Sequence, residues 1–448
     1  MKQILWFRRD LRINDSAILQ MAQDEVLPIF IFDKNILDKL NKDDIRVTFI
    51  YKSVLELKGK LQKIGLDLAI FYADPIEIFS KFKDLGFEKV LCSVDFDYYS
   101  KLRDKYIEEI IPMERYCDSY IIEPNSAMKK DGTAYKVFTP FYNSLSYIWQ
   151  SSHIEEYKVN PSLKLIDFDF TDIPSIEFMG FNKIQLPKFL LKDGNTILEE
   201  FLINIDKYEK ERDFFFKDSS SNLGIYLRFG LLSPKEVFNK AKTLKPFEST
   251  AFIRQLFWRE FYSYILFHYP NSEFENFNGL EISWNENEED FIKWCEGNTG
   301  IPIIDAAMRY FNQTGIIHNR LRMIVASYLT KNLLIDWKKG ESYFASKLLD
   351  YDCASNVGSW QWAASTGADA VPYFRIFNPY LQSAKFDKGG VFIKSVIPEL
   401  KDVDANLFHK ENALNTSLFI SYPKEIVSIS FSRDRAIKEF KRAKNEKV

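Results

Sequence analysis

Histidine is nearly missing from this chain: there are four in 448 residues. None sits in an H-E-x-x-H pattern, which excludes a helical zinc-protease site. Cysteine is equally scarce. Cys92, Cys117, Cys295 and Cys353 are far apart and form no C-x-x-C, which speaks against structural zinc and a disulfide framework and favours a reducing compartment. No metal is expected. No apolar run approaches the roughly 20 residues of a membrane helix, and "MKQILWFRRD" opens a strand rather than a signal peptide. The reading is a cytoplasmic, intracellular protein with no membrane contact. Neither sign of charge dominates, with 60 Lys+Arg against 63 Asp+Glu and a net charge of −3. A globally basic nucleic-acid binder is excluded, but a local basic groove is not. There is no Walker loop, no G-x-G-x-x-G after the first strand, no nucleophile–base set, no fixed-period repeat and no low-complexity tract.

Apolar and aromatic residues are plentiful: 46% hydrophobic and 27% charged, an ordinary globular composition with room for a core. The length suits two or three domains. Phenylalanine is common, at 40. Six of the eight tryptophans fall between 258 and 362: Trp258, Trp284, Trp294, Trp337, Trp360 and Trp362.

Residues 1–125 alternate. "QILWF", "VLPIFIFD", "LDLAIFYA", "KVLCSVD" and "SYIIEP" read as five strands. Helices lie between them, one over 43–64 ending at Gly65 and another opened by Asp74-Pro75. Alternation of this kind predicts a parallel, doubly wound, Rossmann-like sheet, whose ligands bind beyond the strands' carboxyl ends. Residues 126–195 lose periodicity and read as a long interdomain connector. From 196 to 448 the spacing is helical throughout, which gives an all-α domain ending in a charged, solvated helix.

Several stretches carry two readings. "RRDLRIND" offers Arg8, Arg9 and Arg12 as salt-bridged loop arginines or as an anion or interface site. "KDSSSNLG" is an N-cap or linker, or a loop whose N–H groups and hydroxyls hold a phosphate. In "HNRLRM", Arg320 can grip a phosphate and Arg322 a carboxylate, or both can form surface ion pairs. Asp350 and Asp352 in "LDYDCASN" can cap a helix or hold a polar ligand. In "NVGSWQWAAST", Trp360 and Trp362 are two apart, so on a helix their rings point apart. The residues by themselves indicate an aromatic pocket of mixed charge, suited to a flat cofactor and stacked bases.

"WFRRDLRIND", "YKVFTPF", "LSP", "WREFY", "GNTGIPIIDAAMR", "HNRLRM", "LLIDW", "GSWQWAASTGADAVPYFRIFNP" and "KFD" occur in this order. Together they resemble the DNA photolyase/cryptochrome family, most closely the bacterial class I cyclobutane pyrimidine dimer photolyases. That resemblance implies an α/β antenna domain, a connector, and a helical domain holding FAD. Tyr208 and the loop Ser220, Ser221, Asn222, Leu223 and Gly224 would contact FAD, with Asp350 and Asp352 at its polar edge. Arg322 would pair with Asp350, and Asn356 would lie by the flavin N5. Trp360, Trp337 and Trp284 match an electron-transfer chain from the flavin to the surface. Trp258 and Trp362 match the pair that clasps the flipped lesion. Arg212, Asn319, Arg320, Met323 and Gln382 match the lesion pocket and DNA contacts. The implied reaction is a light-driven carbon–carbon lyase step on ultraviolet-damaged DNA, catalysed by a monomer. Excited, fully reduced flavin would lend the lesion an electron.

Two places, three residues in all, depart from that pattern. Gln255 stands where dimer photolyases carry Glu, and (6-4) photolyases and many cryptochromes carry Gln there. (6-4) repair and blue-light signalling therefore remain as alternatives. Tyr99 and Ser100 stand where folate-using relatives carry Asn-Glu, so a second, antenna chromophore (folate, flavin or deazaflavin) is unassigned.

Overall fold

A computed structural model describes residues 2–217, 219–414 and 421–446. Five parallel strands, β1 (Lys2–Phe7), β2 (Glu25–Asp33), β3 (Ala69–Ala73), β4 (Lys89–Ser93) and β5 (Met113–Tyr116), are ordered β3-β2-β1-β4-β5. The strand order reverses at β1, which creates the crevice position of a doubly wound sheet. Both faces are covered. Leu5 and Phe7 point into a core with Phe30, Phe32, Val54, Leu57 and Leu61. Ile4 and Trp6 point the other way, onto Ile29, Phe79, Phe82 and Ile107. This is the two-residue alternation of a strand buried on both sides.

The fifth strand is not "SYIIEP". It is Met113–Tyr116, which starts six residues closer to the preceding helix. Residues 119–122 are bends whose amides are taken by a side chain instead of a ladder: Ile121 and Ile122 N–H both donate to Glu260 Oε2, at 2.9 and 3.2 Å. An apolar run marks burial, and a loop can be buried when a carboxylate satisfies its backbone. A short sixth strand, β6 (Lys164–Leu165), comes from the connector and pairs with β2. The connector also sends Ile176, Met179 and Phe181 into the sheet's core.

The chain forms two compact units. One comprises residues 1–135, 139–205 and 221–267, and the other 136–138, 206–220 and 268–448. The second unit is helical around a core that includes Trp294, Trp337, Trp360, Phe311 and Tyr328. Among the described residues no helix is long and apolar enough to cross a membrane.

Helical spacing from 196 to 448 does not mean unbroken helices, and the terminal helix differs from its expectation. "TILEEFLINIDKYEKERD" breaks at Asn204 into Gly194–Ile203 and Ile205–Glu211. "NRLRMIVASYLTKNLLIDWKKG" is not one helix: Asn319–Ser327 runs into a π-helical turn, Tyr328–Asn332, and a new helix starts at Trp337. The terminal helix Ile429–Glu446 is docked rather than solvated. Ala436 and Phe440 are buried with Leu334, and charges occupy its other face. Residues 447 and 448 of that stretch lie outside the described residues.

Candidate functional site

The helix Cys353–Ala364 carries Asn356, Trp360 and Trp362. Asp352 starts it, accepting the Ser355 N–H at 3.0 Å, so this aspartate is a helix cap. Trp360 is 2% exposed, against Trp362, which is half-buried on the other side of the helix. The ring of Trp360 meets Phe344 at 5.1 Å and Trp294 at 6.0 Å, edge to face. It also presses on Gly340 of the helix Trp337–Lys347, where a Cβ would run into its six-membered ring.

Asn356 is buried and donates from Nδ2 to the carbonyl (3.1 Å) and to Oε1 (2.9 Å) of Glu341. Among the described residues, no hydrogen bond is made to its Oδ1. Burial raises the Glu341 pKa, opposed by hydrogen bonds from Asn356 and Tyr351. Glu341 is fifteen residues from Asn356, and no spacing rule links them in sequence. Trp337, 1% exposed, donates its indole N–H to Asn276 Oδ1 at 2.7 Å, another partner without a sequence signal. Trp284 is half-buried and meets Phe440 edge-on at 6.2 Å. Burial therefore decreases from Trp360 and Trp337 to Trp284.

Arg322 Nη2 lies 2.9 Å from both oxygens of Asp350, and its Nε donates to the Ile317 carbonyl. Arg320 pairs with Asp213 at 2.8 Å and lies over the Phe386 ring. Arg212 lies over Tyr208, which is buried. Asn319 Nδ2 is 3.7 Å from Met323 Sδ, and Gln382 has a buried Oε1 without a hydrogen-bond partner. His318 caps its helix: Nδ1 accepts the Arg320 N–H at 3.1 Å. Burial pushes the imidazole down to about 4, against a hydrogen bond with the Arg212 backbone, so it is neutral near pH 7.

In the other unit, Gln255, Trp258 and Tyr262 share one half-buried face of the helix Thr250–His268. Gln255 makes one long bond, from Nε2 to the Ala251 carbonyl at 3.5 Å. Trp258 packs on Phe261 and Tyr262, each at 5.8 Å. The Arg259-Glu260 pair of "WREFY" faces away from them, onto the 119–122 loop, with Arg259 bonded to the Ser119 carbonyl at 2.9 Å. In the serine-rich loop, Asn222 has a left-handed φ of 54° and the helix Gly224–Arg228 follows. Ser221 Oγ accepts the Leu223 N–H at 3.5 Å. Ser220 precedes this turn and is half-buried.

The arginines of "RRDLRIND" are structural. Arg8 forks onto Asp104 at 2.7 and 2.9 Å, Arg9 pairs with Asp95, and Arg12 binds the carbonyls of Asp15 and Asp118. At the sheet's carboxyl edge, Tyr99 donates to Asp33 at 2.6 Å and the Arg103 guanidinium stacks on Trp6. Ser100 is spent on capping, bonded to Asp97.

The chemistry of these groups is compatible with a flavin. The Asn356 amide oxygen, the Asp350 carboxylate held by Arg322, and a buried aromatic wall offer acceptors and an apolar flank to a flat, N–H-bearing ring.

Residues 252–442 match the family model described as the FAD binding domain of DNA photolyase, and residues 3–157 match the DNA photolyase model. The chain is 33% identical to the deoxyribodipyrimidine photo-lyase of Alkalihalophilus pseudofirmus, across 98% of this chain and 97% of that protein. It is 33% identical to that of Escherichia coli, across 99% of each. A bacterial class III photolyase from Agrobacterium tumefaciens superposes with a TM-score of 0.84 at 30% identity, over 99% of this chain and 98% of that one. An archaeal photolyase from Sulfolobus tokodaii with two FAD molecules gives 0.84 at 33%, over 99% and 100%. The cryptochrome of Synechocystis sp. PCC6803 gives 0.87 at 25%, over 98% and 99%. Fold and sequence thus agree: this chain belongs to the DNA photolyase family, and residues 252–442 match that family's FAD-binding domain.

Proposed function

We propose that the protein repairs cyclobutane pyrimidine dimers in ultraviolet-damaged DNA, driven by light. The observation that carries this reading is the divergence of two tryptophans on one helix: Trp360 is in the interior beside Asn356, and Trp362 is half-exposed. Relatives of nearly equal length are named deoxyribodipyrimidine photo-lyase.

FAD, when bound, would supply the light-driven one-electron chemistry that opens the cyclobutane ring. The chain's residues do the rest. The Asn356 oxygen and the Arg322–Asp350 pair hold the polar edge of the flavin, with Tyr208, Asp352 and the Ser220–Gly224 loop. Trp284, Trp337 and Trp360 pass electrons inward, splitting one long transfer into short ones. Trp258 and Trp362 stack on the extruded lesion. Photolyases are base-flipping enzymes; extrusion costs a few kcal/mol, roughly, and least for a damaged base. Stacking returns about 1–3 kcal/mol per base. Gln255 donates and accepts hydrogen bonds to the lesion but supplies no proton. Arg212, Asn319, Arg320, Met323 and Gln382 line the DNA side. Arg320 must exchange Asp213 for a phosphate, one charged partner for another at a partly buried pair.

His318 favours dimers over (6-4) photoproducts as substrate. A neutral imidazole already accepting from Arg320 N–H makes a poor proton donor. The Sulfolobus protein's second FAD supports a flavin antenna here, near the Asp33–Tyr99–Arg103 cluster at the sheet's carboxyl edge. The likeness to a cryptochrome supports a second reading, blue-light signalling through a protein partner.

The test gives flavin-loaded, reduced protein oligonucleotides bearing each lesion separately, in light and in dark. Light-dependent loss of the cyclobutane dimer is expected. Absence of repair of either lesion would leave the signalling reading, and repair of only the (6-4) lesion would reassign the substrate.

A further inference from the structure

Lysine is almost never fully buried unless paired. Lys331 is 0% exposed, in the π-helical turn Tyr328–Asn332, and among the described residues no carboxylate pairs with it. Such turns are frequent at functional sites. Its Nζ donates to the Ala364 carbonyl at 3.0 Å and to Ser365 Oγ at 2.8 Å. The same nitrogen lies 3.5 Å from the centre of the Phe440 ring. Ala364 and Ser365 close the helix that carries Trp360, and Phe440 is the ring that Trp284 touches. One amine therefore reaches the support of both the inner and the outer tryptophan.

We infer that Lys331 is a positioning residue for the electron-feeding tryptophans: it fastens the carboxyl end of the Trp360 helix to the Phe440 ring beneath Trp284, and a positive charge on its amine opposes a hole on Trp284. This rests on the reading of Trp360, Trp337 and Trp284 as the path. Each event moves one electron inward from Trp284. The acceptor would be the flavin when bound; no bond of the protein forms or breaks, and a thiol in solution returns the electron to the indole, losing its proton and becoming a thiyl radical. A charged amine and a hole on Trp284, both in contact with the Phe440 ring, repel each other, the more so because the amine is shut off from water. Burial drives the amine towards its uncharged form, which removes that repulsion. The other charged groups facing this region are few. On the terminal helix, Arg435 donates to the Asn332 carbonyl at 2.6 Å, and Glu439 is paired with Arg442. Asp290, on the helix Glu288–Glu296, acts on Arg435. The end of the Trp360 helix contributes only Ser365 and Thr366, which are uncharged.

The experiment compares flavin-loaded wild type, Lys331→Met, Lys331→Gln and Lys331→Arg, with Trp360→Phe alongside. A blue flash is followed by transient absorption of the tryptophan radical across pH, with thermal melts to check folding. In wild type the radical yield is expected to rise several-fold with pH as Lys331 loses its proton. Lys331→Met, which carries no charge but also no donor for Ala364 and Ser365, is expected to be flat and to lie below the wild-type high-pH level, and Lys331→Arg, always charged, flat at the low one. Lys331→Gln keeps a donor for Ala364 and gives the same flat profile if the methionine variant does not fold. A wild-type pH profile in the folded variants overturns the inference, as does a pH-independent wild type. Full radical yield in Trp360→Phe would instead remove the path on which it rests.

Discussion

Gln255 and Trp258 stand one turn apart on a half-buried face, and Gln255 spends only one weak bond on its own helix. Its amide is free to meet a ligand. On the proposed function, Gln255→Glu is expected to raise the quantum yield of dimer splitting several-fold, since a carboxyl can both bond and protonate the lesion. An unchanged yield would show that this position does not touch the dimer. Trp360→Phe is expected to lower flavin photoreduction at least tenfold, while chemically reduced protein keeps repair within twofold. Stopped light-exposure absorbance and a repair assay read the two separately. Glu260 has a different task. It is 2% exposed and satisfies two buried amides. Glu260→Ala leaves both without partners, at about 1–3 kcal/mol for each orphaned group, and a lowered denaturation midpoint checks it.

At the scale of elements, the two helices of the candidate flavin site meet at Gly340 and Trp360 with no space for a methyl group. Gly340→Ala must push them apart or turn the indole. Overpacking of this kind costs about 1–3 kcal/mol. Because Asn356 is bonded to Glu341, next to Gly340, the same shift displaces the amide. The expected outcome is a lower melting temperature together with a changed visible flavin spectrum. A spectrum identical to wild type would mean that the strain is absorbed elsewhere. These helices were legible from their 3.6-residue pattern, and Asp352 as a possible cap from its position before small residues. The π-helical turn was not. Its register depends on which side chains find room in the core, and apolar periodicity carries no mark for one extra residue in a turn.

For the whole molecule, Asp10 sets a pH dependence. It is fully buried, its Oδ2 has no hydrogen-bond partner, and burial, joined by the charge of Asp118, raises its pKa to about 7. The folded value lies above the unfolded one, so its stabilising contribution is complete below about pH 4 and is lost as pH rises through about 7. The melting temperature is expected to fall between about pH 4 and 7 and then level off, and Asp10→Asn to flatten that slope. An unaltered slope would assign the dependence to another group. DNA affinity, on the proposed function, falls as salt rises, because each phosphate contact releases counterions. Titration of damaged duplex at several salt concentrations gives the number of contacts.

The sequence by itself determined the class of fold, since strand and helix periods and their alternation are local properties written residue by residue. It also placed the aromatic, mixed-charge residues in one half of the chain, and its motifs pointed to the family. What only the tertiary structure decided were pairings between distant positions. "SYIIEP" is a buried loop because Glu260, over 130 residues later, supplies its hydrogen bonds. Arg8 and Arg9 are structural because Asp104 and Asp95 lie beside them. Asn356 is aimed by Glu341, Trp337 by Asn276, and Lys331 lies between Ala364 and Phe440. A hydrogen bond depends on a few ångströms between side chains, and sequence separation does not encode that distance.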